Sequence, residues 1–179
     1  MRLLALALVL FLVPAMAAGA YEIGDPVADI VLTDLSGDPV ALSDHHGQVI
    51  VLNFFTTWCP GCDEEAEVLE QDIWQVYQED GVMVIAINIQ EPVGLVSGWA
   101  QAQGVTYPIW MSPDWDVLEP FTSSPALPYN AVIDGEMSLR YAQIGFDRDE
   151  IIGMVEEILA GSTPVERTTW SAVKDLLSR

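Results

Sequence analysis

Two stretches of the chain, Val49 to Phe55 (VIVLNFF) and Val82 to Ile89 (VMVIAINI), are apolar almost without interruption and rich in β-branched residues. Runs of this kind predict strands buried on both faces. Between them, Ala66, Leu69, Ile73, Val76 and Tyr77 recur at helical spacing from Cys62 to Glu79, and Gly81 ends the run. Val93 to Gln103 carries a second helical face and stops at Gly104. Upstream, Val27 to Leu35 and Pro39 to Leu42 alternate around Ser36-Gly37-Asp38, which predicts a short hairpin ahead of the main fold. Downstream come a short strand, Tyr107 to Met111, and an irregular stretch through Pro113, Pro120, Pro125 and Pro128. A second hairpin then pairs Tyr129 to Ile133 with Ser138 to Ile144 around Asp134-Gly135-Glu136, and Asp147 to Leu159 closes as an amphipathic helix. The order β-α-β-α-β-β-α predicts an α/β fold: a central mixed sheet flanked by helices on both faces, with an N-terminal hairpin extension.

Both ends of the chain depart from this pattern. Arg2 is followed by an apolar run from Leu3 to Val13, then Pro14, then the small-residue stretch Ala15 to Ala20. Residues 1–20 therefore read as a secretory signal peptide cleaved after Ala17 or Ala20, in preference to an uncleaved membrane anchor. That reading places residues 21–161, the folded domain, in the periplasm or outside the cell. In residues 162–179, Trp170, Val173 and Leu177 fall on one face of a short amphipathic helix behind a Thr168 or Thr169 cap, and docking of this tail onto the fold is expected.

Charge narrows the partners. With 27 acidic and 6 basic side chains in 179 residues, the formal net charge is −21. Such a chain repels phosphate backbones and anionic lipid headgroups, which excludes nucleic acid as a partner. The 51% of hydrophobic residues supplies a normal core beneath the acidic surface.

The two cysteines carry the chemistry. Cys59 and Cys62 stand in Trp58-Cys59-Pro60-Gly61-Cys62, where the buried strand runs into the helix. Two thiols are one pair short of a four-thiolate zinc site, and a disulfide closing so short a loop gives little entropic stabilisation as a staple. A thiol at the first helical turn faces unpaired N–H groups and the positive end of the macrodipole, which stabilise its thiolate. Pro60 suits the first helical position, and Gly61 leaves room for another backbone to approach. Cys59 is thus the expected nucleophile and Cys62 the resolving thiol of disulfide exchange.

At these residues the sequence resembles the TlpA/ResA-like thiol-disulfide oxidoreductases of the thioredoxin superfamily, over about Ile23 to Leu159. The resemblance rests on the G-x-P-x-x-x-x-L-x-D-L-x-G pattern of Gly24 to Gly37, on Leu42-Ser43-Asp44 ahead of Gly47, and on Val51 to Phe55 leading into W-C-x-x-C. Glu65, three residues past the second cysteine, also fits, as does Pro128 to Gly135 against the P-x-x-x-x-I-D-G loop. It implies a thioredoxin-like fold, a cis peptide before Pro128, and substrate contact through Trp58, Pro60, Gly61, Leu127 and Pro128. Three positions depart from the pattern. Asn53 stands where thioredoxin has a proton-accepting Asp, Pro60 and Gly61 stand where some relatives place a Glu, and Glu67 replaces a helix-kinking proline. These departures name no proton relay for Cys62, and an unkinked helix is expected.

The resemblance implies protein thiols and disulfides as substrates, with apocytochrome thiols, a cofactor-assembly protein and misoxidised secreted proteins all fitting. It also implies a separate membrane electron donor, a monomer, and no cofactor or metal. Two alternatives come from the same superfamily. His45 and His46 with the cysteines suggest a copper chaperone, and Thr56-Thr57-Trp58-Cys59 matches the T-x-x-C of peroxide-reducing relatives, although Leu52 stands where their proline belongs. Asp63, Glu64, Glu65 and Glu67 read as a solvated first helical turn, and Trp99, Trp110 and Trp115 as core or rim packing. The uncharged Pro60-Gly61 and the acids after Cys62 point to a reductant rather than an oxidant.

Overall fold

The computed structural model describes residues 20–161. The expected signal peptide, up to its last residue, and the expected tail helix lie outside the described residues. Seven strands form one sheet: β1 (Val31–Asp34), β2 (Pro39–Ala41), β3 (Val49–Phe55), β4 (Val82–Ile89), β5 (Ile109–Ser112), β6 (Tyr129–Ile133) and β7 (Leu139–Ile144), in the order β2-β1-β5-β4-β3-β6-β7. Every residue of β3 is buried. It runs parallel to β4 and antiparallel to β6, so the strand leading into the cysteines is enclosed on both edges as well as both faces.

In the first hairpin, the Asp34 carboxylate accepts the Ser36 and Asp38 N–H groups at 2.7 and 3.0 Å, and Gly37 takes the left-handed conformation at φ 88°. β1 also pairs with β5, Thr33 opposite Met111 and Asp34 opposite Trp110. The hairpin is therefore an edge of the main sheet and not an appendage to it.

The helices are α1 (Pro60–Val68), α2 (Gln75–Tyr77), α3 (Val93–Gln103) and α4 (Arg148–Gly161). Helices on both faces were expected, but Cys62 of α1, Val96 of α3 and Ile151 and Val155 of α4 join one cluster, with Val49, Val51 and Phe55 of β3. The reason is handedness. The crossovers from β3 to β4 and from β4 to β5 step the same way across the sheet, and right-handed connections then place α1 and α3 on the same face. The opposite face, led by Ile50, Leu52 and Phe54, is covered by Leu42 and by Leu118 and Phe121 of the proline-rich stretch.

A continuous helix from Cys62 to Glu79 was also expected. The chain instead widens into a π-helical turn over Leu69–Trp74 before α2 and a closing 3₁₀ turn. Glu70 is buried within that turn and accepts bonds from the Thr106 N–H and hydroxyl and from Gln75, at 2.6 to 2.7 Å. Burial pushes its carboxyl up, but these donors outweigh burial and hold it below the usual range. The helix is thus irregular without the proline found in relatives, because a side chain is drawn sideways to β5's approach segment.

Candidate functional site

β3 delivers the chain to one end of the sheet, where Thr56, Thr57 and Trp58 turn it into α1. Cys59 is the N-cap of α1 and Pro60 its first residue. Proline costs nothing there, since its missing N–H has no helical acceptor to lose. The Cys59 sulfur accepts the Cys62 N–H at 3.3 Å, while the Cys59 carbonyl takes those of Cys62 and Asp63. Cys59 and Cys62 are joined as a disulfide with Cα atoms 5.3 Å apart. Both are buried, 6% and 1% exposed, with Cys59 at the surface end of the pair. The Trp58 indole beside them is 68% exposed.

The Leu127–Pro128 peptide is cis. Pro128 lies over the cysteine turn: a methyl group on Gly61 would stand 3.3 Å from Pro128 Cδ. The room left by Gly61 is therefore shared with this loop. Leu127 is half-buried and touches the apolar clusters of both faces. The fold thus brings together Trp58, Cys59, Pro60, Gly61, Cys62, Leu127 and Pro128.

The acidic run after Cys62 is only half solvated: Glu64 and Glu67 are exposed, whereas Asp63 and Glu65 turn inward. Glu65 is 2% exposed, because three residues along a helix from Cys62 lies on the same inward face. Its carboxylate accepts bonds from the Asn53 amide and, at 3.1 Å, from the Asn130 amide. Asn53 and Asn130 are directly paired across β3 and β6, and Asn53 also donates to Asn130 at 3.1 Å. Burial raises the Glu65 carboxyl to about 8 against the two amide bonds, which favour the charged form. The sequence holds a signal for this site: asparagine inside two otherwise apolar buried strands needs a polar partner, and Glu65 is the acid on the facing helix. Asp63 likewise turns inward and accepts the Trp99 indole N–H at 2.6 Å, while that ring stacks on Phe55.

A second carboxylate sets the loop ahead of Cys59. Glu91 follows Gln90, whose φ of 62° turns the chain back after β4. Glu91 accepts the Thr57 N–H, the Thr57 hydroxyl and the Asn88 amide, each at 2.7 Å. No motif pointed to it; its role depends on β3 and β4 ending side by side.

His45 and His46 precede β3 whereas Cys59 follows it, so the length of a seven-residue strand, about 23 Å at ~3.3 Å per residue, separates them. His45 is engaged with Gln48 at 3.0 Å. The arrangement does not let these histidines share a copper ion with the cysteines. Among the described residues no cluster of His, Cys, Asp and Glu is arranged to hold a metal, and no helix is long and apolar enough to cross a membrane. Trp110 is buried in the apolar layer and Trp115 packs against it.

The profile of the AhpC/TSA family matches residues 23–142. The chain belongs to the AhpC/TSA family. Among curated relatives, it is 32% identical over 124 residues to the thiol-disulfide oxidoreductase ResA of Bacillus subtilis, covering 68% of each chain. It is 36% identical over 115 residues to ResA of Geobacillus kaustophilus, covering 64% of this chain and 65% of that protein, so it spans just under two thirds of that relative's length. The fold is that of a thiol:disulfide interchange protein of the thioredoxin family from Chlorobium tepidum (TM-score 0.67, 22% identity, 78% of this chain and 99% of that one). A DsbF homologue from Corynebacterium diphtheriae shares it (TM-score 0.68, 23% identity, 82% and 97%).

Proposed function

We propose that the protein is an exported thiol-disulfide oxidoreductase that reduces disulfides in protein substrates. The observation that carries this reading is the Cys59–Cys62 pair at the N-terminus of α1, with the buried acid Glu65 one turn along.

In the reduced protein, the Cys59 thiolate attacks one sulfur of a substrate disulfide. A mixed disulfide forms and the other substrate sulfur leaves as a thiolate that takes a proton from water. Glu65, whose carboxyl sits near 8, holds its proton at neutral pH and accepts the Cys62 proton through its ionised fraction, which grows as pH rises toward 8. The Cys62 thiolate attacks the Cys59 sulfur, and the second substrate sulfur leaves and is protonated. The substrate gains two electrons and two protons, and the protein gives up the same two electrons as its two thiols become the Cys59–Cys62 disulfide. A separate dithiol donor must restore the thiols.

Direction follows from charge. The helix N-terminus favours the Cys59 thiolate, but Asp63, turned inward, brings negative charge toward a buried pair, where screening is weak, and Glu65 adds to it as it ionises toward pH 8. A less stabilised thiolate favours the disulfide form, so the potential is expected nearer the roughly −270 mV of thioredoxin than the roughly −120 mV of DsbA. A peroxide-reducing reading has less support: the Thr56 hydroxyl is buried and makes no hydrogen bond, so it does not hold the Cys59 sulfur.

Trapping tests the roles. Cys62→Ser should accumulate mixed disulfides with substrate proteins, whereas Cys59→Ser should accumulate almost none, read on non-reducing gels. The reverse pattern would overturn the assignment.

A further inference from the structure

The redox end of the sheet carries an unusual combination of apolar exposure and unbalanced negative charge. Among the described residues seven large apolar side chains are exposed; Ile23, Val31 and Val76 are scattered, and Trp58, Val93, Leu95 and Ile144 are the other four. All four belong to this end. Trp58 precedes Cys59, Val93 and Leu95 open α3 just after the Glu91 carboxylate that binds Thr57, and Ile144 stands opposite Tyr129 beside Pro128. A soluble surface that gathers exposed apolar groups around one site is a contact surface.

Cations do not balance the acids around it. All but two of the chain's 27 acidic side chains lie in the described residues, against Arg140 and Arg148 as the only Lys or Arg there. Each of these is already engaged by two carboxylates: Arg140 by Asp134 and Glu157, Arg148 by Asp72 and Asp149. At the redox end, Glu64 and Glu67 are exposed along α1, and Asp149 and Glu150 are exposed at the start of α4, which Gly145 ties to Pro128. An approaching segment meets apolar contacts set in a field of one sign.

We infer that the preferred substrate is a cationic polypeptide segment, with apolar side chains flanking its cysteine and lysine or arginine beyond them. The inference rests on the disulfide exchange proposed for Cys59 and Cys62. Opposite charge steers such a segment to the site and raises its association rate, while an anionic segment is repelled by the same field.

The test uses the reduced full-length protein and three disulfides. Two are peptides identical around a Leu-flanked disulfide, one with flanking lysines and one with flanking glutamates, and the third is neutral hydroxyethyl disulfide. Second-order rate constants are taken at ~20 mM and ~500 mM salt, bracketing weak and strong screening. The lysine peptide should react at least tenfold faster than the glutamate peptide at low salt, and the gap should close at high salt. Rates within twofold of each other at low salt, or a gap that survives high salt, would overturn the inference and leave the exchange chemistry standing. Failure to reduce any of the three disulfides would instead overturn the proposed function. Leu95→Ser combined with Ile144→Ser should slow both peptides about threefold; unaltered peptide rates would remove the apolar half of the surface.

Discussion

The two faces of β3 solve different problems with the same strand. Leu52 and Phe54 point into a layer whose buried members are apolar, and Phe54 packs against Phe121 and Tyr129 with ring centroids 5.2 and 6.0 Å away. The buried Tyr129 hydroxyl there donates to the Phe121 carbonyl at 2.8 Å. Asn53 and Phe55, one residue away, point into a layer that holds both cysteines, Glu65 and Asn130. Burying those polar groups costs stability unless each is bonded, and the ionised carboxylate is the most costly of them. One layer holds the sheet together, while the other gives up stability to keep an acid in the same layer as a thiol pair. Perturbing each layer in turn should separate the two.

The largest effect belongs to the apolar layer. Leu52→Ala should destabilise the protein by about 2–5 kcal/mol through lost burial and the cavity left behind, read by denaturant unfolding of the oxidised form. Its effect on the redox potential of the folded protein should be negligible. A shifted potential with little loss of stability would break the division between the faces.

Glu65→Gln should act the other way. The native state holds the Glu65 proton up to about pH 8, whereas the unfolded chain releases it near 4.5, the ordinary value. The native state therefore binds more protons across that window, and this group's contribution to stability is fully present below pH 4.5 and lost as pH rises through 8. Relative to Glu65→Gln, the oxidised wild type should lose on the order of 2–5 kcal/mol between pH 5 and 8. Parallel pH profiles for the two proteins would refute the buried-acid reading. Disulfide exchange should meanwhile slow about 10–100-fold in the variant if Glu65 accepts the Cys62 proton.

What could be read in advance divides along the same line. β3, β4 and β6 begin and end where the apolar runs do, because continuous burial leaves its mark on every residue of a strand, and α3 ends where Gly104 stops its helical face. The Cys59 N-cap and Pro60 at the first helical position were equally legible, being local chemistry. Glu65 was not, since an acid in a run of acids looks solvated until the helix phase and the Asn53–Asn130 pair are both in hand. The π-turn was hidden for the same reason: Glu70 finds Thr106 36 residues away. Glu91 needed two strand ends to be adjacent, which no local pattern records.

The smallest effect lies at the surface of the polar layer. Gly61 sits in the first turn of α1 without a positive φ, so alanine is conformationally acceptable there and gains up to about 1 kcal/mol of helix propensity. Against that gain, the new methyl meets Pro128 Cδ at 3.3 Å and the loop must give by a few tenths of an ångström. The two terms nearly offset, and Gly61→Ala should change stability by less than about 0.5 kcal/mol. In the proposed exchange the methyl would stand on the side from which a substrate backbone reaches the cysteine turn. Exchange with a polypeptide disulfide should fall about threefold, and exchange with hydroxyethyl disulfide should hardly move. A stability loss above about 2 kcal/mol would mean the Pro128 loop is too rigid to yield, which the apolar packing of Leu127 on both faces could enforce. Equal slowing of both disulfides would locate the effect at the cysteines themselves and remove Gly61 from the substrate surface.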